Sequence, residues 1–170
     1  MNTIFDTHCH PYLNKEKDEN LVIEQFFKNW WKYINIIWTN LETSKKAIKL
    51  ANKYEWVFAS LWIHPCDIVN LDLEESIKNL ETLYLNNKDT IVAIWECWLD
   101  YYRLIKDEKI KQLDSENKQK ALKLAKKLQE IFFKAQILLA KQYNLPVIIH
   151  NRESKDDVLR ILKETDCKNF

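Results

Sequence analysis

The sequence predicts an α/β protein built around a parallel sheet. Three observations carry that reading. Strand-like runs recur near 3–8, 33–37, 57–61, 91–96 and 146–150. Between them lie segments whose apolar residues return at helical spacing, as in strand–crossover–strand units. Runs two to five are apolar almost throughout, the pattern of strands covered on both faces.

The first run, Thr3-Ile4-Phe5, flows into Asp6-Thr7-His8-Cys9-His10, where strand alternation puts His8 and His10 on one face. Taken alone, that spacing serves equally for one metal ion or for an ordinary satisfied histidine pair. Leu21, Ile23 or Glu24, and Phe27 mark the first helix, and Ala47, Ile48, Leu50 and Ala51 give the second an apolar side. Ile77, Leu80, Leu83 and Tyr84 mark the third. The charged stretch 106–120 reads as a solvated loop leading into a long helix over about 114–143. That helix carries Leu122, Leu124, Leu128, Ile131, Phe132, Ala135 and Leu139, and a last one follows with Val158, Leu159, Ile161 and Leu162.

These are five strand–helix units in 170 residues, whereas a closed eight-unit barrel takes about 250. The expectation is a partial TIM-type (β/α)8 barrel, one incomplete domain over 1–170, lacking its carboxyl-terminal units. Strands one and five would be its open edges, where self-association is a hazard.

At 46% apolar residues, the chain can bury a core as a single domain. With 26 basic against 25 acidic residues, the overall balance is not that of a protein gripping nucleic acid mainly by charge. Cys9, Cys66, Cys97 and Cys167 are scattered, so neither a zinc ribbon nor a disulfide framework is indicated. No run is long enough to span a bilayer and the start is no secretory signal, so a cytoplasmic protein is expected. No stable protein partner is implied.

Average usage would supply about 12 glycines. There are none, against seven tryptophans. Trp30, Trp31, Trp38, Trp56, Trp62, Trp95 and Trp98 sit where helices hand over to strands or strands enter loops. Those are places where φ > 0 or close backbone approach favours glycine. The expectation is that they occupy glycine positions, as when UGA codons decoded as glycine are written as tryptophan. The competing reading is a real glycine-free protein with strained turns and a crowded pocket mouth.

Polar residues of metal-binding type stand at four strand ends: His8 and His10, then His64, Glu96 and His150. In parallel α/β sheets the carboxyl ends of the strands form the site. Together with Asp6-Thr7-His8-Cys9-His10, the stretches Leu61-Trp62-Ile63-His64-Pro65, the run 93–103 from Ala93 to Arg103, Phe133-Lys134-Ala135-Gln136 and the run 145–152 resemble TatD-type metal-dependent deoxyribonucleases, in order and spacing. The family pattern has glycine where this chain has Trp62, Trp95 and Trp98.

The resemblance implies two divalent ions (Zn²⁺, Mn²⁺ or Mg²⁺), with His8 and His10 holding one, Glu96 bridging, and His150 binding the second. It implies DNA as substrate and hydrolysis by metal-activated water. The family completes the site with a histidine after strand six and an aspartate after strand eight, neither present here. His64 would line the mouth and contact a phosphate. Arg152 serves either as a phosphate clamp or as partner to a loop carboxylate. Asp6 either orients a ligand histidine or caps a turn. Asp100 and Tyr101-Tyr102-Arg103 either support the Glu96 segment or simply pack. A two-metal hydrolase of small amides or esters and an inactive truncated product or binding module are the alternatives.

Overall fold

Five strands lie side by side in chain order, all parallel, in the sheet β1-β2-β3-β4-β5. They are β1 (Phe5–Cys9), β2 (Tyr33–Ile37), β3 (Val57–Leu61), β4 (Ile91–Asp100) and β5 (Val147–Arg152). The helices are α1 (Glu19–Lys28), α2 (Leu41–Ala51), α3 (Leu73–Leu85), α4 (Tyr101–Lys106), α5 (Glu108–Lys111), α6 (Ser115–Gln142) and α7 (Lys155–Glu164). The computed structural model describes residues 4–11, 18–29, 32–37, 41–63, 68 and 71–170, without the side chains of Leu41, Trp95, Glu96 and Trp98.

Register and alternation sort the strand residues into two faces. Ile34, Ile36, Val57, Ala59, Leu61, Ile94, Cys97 and Leu99 face the helices and are buried in the core. The opposite face carries a polar patch: Ser60 Oγ donates to Asn35 Oδ1 at 3.0 Å, and Asn35 Nδ2 donates to the Thr7 carbonyl at 3.3 Å. Toward the amino ends of the strands this face turns aromatic, with Phe5 against Tyr33 and Phe58 at centroid distances of 5.8 and 6.1 Å.

The stretch 106–120, expected as a loop leading into a helix from about 114, is helical already at 108–111 before α6 begins at Ser115. Aspartates explain it: Asp107 accepts from the amides of Lys109 and Ile110 and starts α5, and Asp114 accepts from Glu116 and Asn117 and starts α6. Asp18, Asp72 and Asp100 open α1, α3 and α4 in the same manner, each cap being worth about 1 kcal/mol. β4 runs four residues past its expected end, so Trp95 and Trp98 lie inside a strand and not at a strand–loop junction. The expected apolar stripes are also shifted. Leu21, Leu124 and Leu159 point outward, and α6 buries the expected Phe132 and Leu139 together with Gln129, Phe133, Gln136, Ile137 and Ala140.

Two of those buried glutamines are ties to the sheet. Gln136 Oε1 accepts from Ile63 N at 3.1 Å, just past β3, and Gln129 Oε1 accepts from Asp100 N at 3.1 Å, at the end of β4. Among the described residues, no helix is long and apolar enough to cross a membrane.

Trp56 has φ 69°, the left-handed region that disfavours a side chain. It lies in the turn before β3, as the glycine expectation requires. Trp62 is buried beyond the end of β3, while Trp30, Trp31 and Trp38 lie outside the described residues.

Candidate metal centre

The carboxyl end of β1 is irregular. Asp6 pairs with Ile34 and Cys9 with Ile36, so β1 carries one more residue than β2 over this step. Such an insertion locally disrupts the alternation and re-aims the side chains that follow it. Asp6 Oδ1 accepts from the His8 amide at 2.9 Å, so the Asp6 carboxylate braces the backbone of the bulge, not an imidazole.

His10 Nδ1 lies 2.9 Å from the Ile37 carbonyl. A carbonyl only accepts, so the Nδ1 of neutral His10 carries the proton and its Nε2 presents a lone pair. His8 Nε2 stands 2.7 Å from that nitrogen and donates its proton to it. Burial lowers the pKa of both rings; for His8, the nearby His10 and, more weakly, His150 push the same way, against the pull of Asp6. Both are therefore neutral imidazoles at pH 7, the form that ligates metals. Two adjacent Nε2 atoms, one with its tautomer fixed from behind, suit a divalent cation taking nitrogen donors once His8 moves its proton to Nδ1.

His150 is on β5, paired with Trp98, and two residues later Arg152 pairs with Asp100. Burial lowers the His150 pKa; Asp100 raises it, while Arg103 and Arg152 lower it further. The Arg152 guanidinium carbon sits 3.9 Å from the Tyr102 ring centroid. Asp100 is buried, caps α4 through the Arg103 amide at 2.8 Å and approaches Arg103 Nε at 3.5 Å. The backbone of Glu96 forms a second irregularity: Trp95 pairs with Ile148 and Cys97 with Ile149, leaving Glu96 as the extra residue.

Of the residues singled out from the sequence, the structure brings His8 and His10 together. Among the described residues, no three of His, Cys, Asp and Glu form a metal-binding group, so His150 does not close a triad with that pair. The Glu96 side chain and the whole of His64 lie outside the described residues. Sequence reasoning gives no role to Asn35, Gln129 and Gln136, polar residues whose side chains tie strand ends together. For Asn35 the sequence signal is a polar residue inside an apolar run. Ser154 belongs with them: its hydroxyl donates to the Leu99 carbonyl and joins β5's exit to β4.

A family model described as TatD related DNase matches residues 5–170. The chain belongs to the TatD-related DNase family. An uncharacterized metal-dependent hydrolase of Bacillus subtilis, YabD, is 34% identical over 164 residues, covering 95% of this chain and 55% of the relative. The 3′-5′ ssDNA/RNA exonuclease TatD of Salmonella typhimurium is 26% identical over 148 residues, covering 86% of this chain and 48% of that protein. The crystal structure of YjjV, a TatD homologue from Escherichia coli, superposes with a TM-score of 0.73 at 26% identity, over 96% of this chain and 56% of that one. The chain thus spans about half the length of the TatD relatives it matches. The five-stranded parallel sheet is a partial TIM-type barrel, and its fold is shared with the YjjV structure.

Proposed function

We propose that this chain carries the metal-holding strands of a phosphodiesterase that cuts DNA with metal-activated water. The observation that carries the reading is the His8–His10 pair, with Nε2 atoms 2.7 Å apart and the His10 tautomer set by Ile37. His8, His10 and Glu96 would hold one divalent ion, and Glu96 and His150 would hold a second. Paired divalent ions, of the Zn²⁺, Mn²⁺ or Mg²⁺ class, supply Lewis-acid activation of water and neutralise charge on phosphate oxygens.

The protein's own groups do the rest. Ile37 keeps the His10 proton on Nδ1, away from the ligand position. Asp6 fixes the backbone that presents His8. Arg152, two residues beyond His150, offers a planar cation to a phosphate, and His64, three residues after β3 in the sequence, is assigned a phosphate contact by the family resemblance alone. The Salmonella relative named as a single-strand DNA/RNA exonuclease supports a polynucleotide substrate over a small amide or ester.

The test is release of nucleotides from single-stranded DNA with each divalent ion and with chelator. Glu96→Ala and His10→Ala are expected to abolish release and to weaken metal binding measured by calorimetry. Activity that survives chelator, or Glu96→Ala, overturns the assignment. Hydrolysis confined to small amides or esters moves the chain to the other class of two-metal hydrolase.

A further inference from the structure

The charge of this chain balances only as a whole. Residues 101–128, covering α4, α5 and the first half of α6, hold nine basic and four acidic residues, leaving 17 basic against 21 acidic elsewhere. The excess is also placed in space. Gln129 meets the last residue of β4, and the buried residues of α6 begin there. Because α6 runs back toward the amino end of β5, residues 115–128 extend past the carboxyl edge of the sheet, by about 21 Å at 1.5 Å per residue. None of those residues is buried, and α6 contacts α4 and α5 as well as β4, with Leu128 the first of its residues packed against the core. The result is a projecting basic arm on the edge where His8, His10 and His150 stand.

The arm connects to that edge through a chain of cations. Lys118, Lys120, Lys123 and Lys127 lie on α6. At its foot, Lys106 Nζ lies 5.4 Å and Arg152 Cζ 3.9 Å from the centroid of the same Tyr102 ring. Arg152 in turn follows His150 by two residues on β5, which places both on one face. Some of these lysines have acidic neighbours, Glu116 for Lys120 and Glu130 for Lys127, but the helix carries seven lysines against two glutamates. A solvated face needs no such excess, and a balanced protein has no other reason to gather it on one edge.

We infer that the α4–α5–α6 arm is a phosphate-tracking rail that leads a single nucleic-acid strand along the carboxyl edge of the sheet to His150 and Arg152. The inference rests on the phosphodiesterase reading and adds to it the element that holds the part of the strand not being cut. A row of flexible lysines binds phosphates without reading bases, so the grip is sequence-independent and weakened by salt.

The experiment measures anisotropy of a fluorescein-labelled oligothymidine of about 20 nucleotides with the full chain in chelator, as a function of salt. A quadruple variant, Lys118→Gln, Lys120→Gln, Lys123→Gln and Lys127→Gln, is compared with a control on α2, Lys45→Gln, Lys46→Gln and Lys49→Gln. The arm variant is expected to bind about tenfold or more weakly at low salt, and its log–log salt slope to flatten by about 0.7 for each phosphate that is no longer neutralised. The α2 control keeps both. Equal affinity and slope in the arm variant and the unmodified protein overturn the rail. So does equally tight, lysine-dependent binding to phosphatidylserine vesicles. Arm-dependent binding without hydrolysis under any divalent ion supports the rail and overturns the phosphodiesterase reading. Hydrolysis with arm-independent binding does the reverse.

Discussion

Trp56 meets Tyr33 edge to face at the start of β2, with ring centroids 5.3 Å apart, planes at 80°, and a Trp56 backbone at φ 69°. Lys32 Nζ lies over both rings, 5.1 Å from the Tyr33 centroid and 5.0 Å from that of Trp56. The stacking is favourable and the backbone is not, because a Cβ at this φ crowds the carbonyl. Comparing two truncations separates the two effects. Trp56→Ala and Trp56→Gly both remove the indole, but only glycine removes the Cβ. We expect Trp56→Gly to be more stable than Trp56→Ala by about 1 kcal/mol in urea denaturation. Equal stabilities would remove the conformational argument for glycine here. A peptide mass spectrum of the protein from its native source reads the residue directly.

Gln129 is a second point where one side chain carries structure. Its Oε1 accepts from the buried end of β4 at Asp100, and Asp100 in turn caps α4. Gln129→Leu keeps the volume and removes the acceptor, leaving the Asp100 amide unsatisfied in a dry environment. The expected cost is about 1–3 kcal/mol. It is checked by denaturant unfolding, with faster hydrogen exchange at the Asp100 amide as the local signature.

Much of this architecture is legible in the sequence, because strands buried on both faces have to be apolar. Tyr33–Ile37 and Val57–Leu61 are found at the boundaries their composition indicates. The aspartate caps are equally readable, yet Asp107 and Asp114 sit in a charged stretch that hides them, so α5 reads as a loop. Leu124 is apolar at helical spacing but 72% exposed, because it stands on the half of α6 that has left the sheet. No local pattern announces that departure. His8 and His10 are legible as a pair. What brings their Nε2 atoms together, a bulge in β1 and the carbonyl of Ile37 on the next strand, is a product of pairing between distant segments. The same holds for Glu96, whose bulge depends on the register of β5.

The histidines make stability depend on pH. Burial holds His8, His10 and His150 below the ordinary 6.5 in the folded chain. Between those lowered values and 6.5 the unfolded chain binds protons that the folded chain refuses. Stability is therefore full above 6.5 and falls as pH drops through the folded values. Imidazole titrations followed by NMR should give midpoints below 6.5, and urea midpoints should decline from about pH 7 toward about pH 5. Histidines titrating at or above 6.5 would mean that the rings are more solvated than their burial indicates.

Cys9 stands between the two histidines in the sequence, and its thiol packs against the apolar core. Burial, helped by the negative charge of Asp6, pushes its pKa up to about 11 from 9.0. Since the thiolate is the reactive and ligating form, this shift leaves it scarcer by about 100-fold at pH 8. Native Cys9 should accordingly react with iodoacetamide about 100-fold more slowly than Cys9 of the urea-unfolded chain, as measured by peptide mapping. The site is thereby left to nitrogen and oxygen donors, which suits ions such as Zn²⁺ or Mn²⁺ without recruiting sulfur. If Cys9 is alkylated at the unfolded rate while the chain remains folded, the β1 bulge is open to solvent and the thiol has to be counted among the ligands.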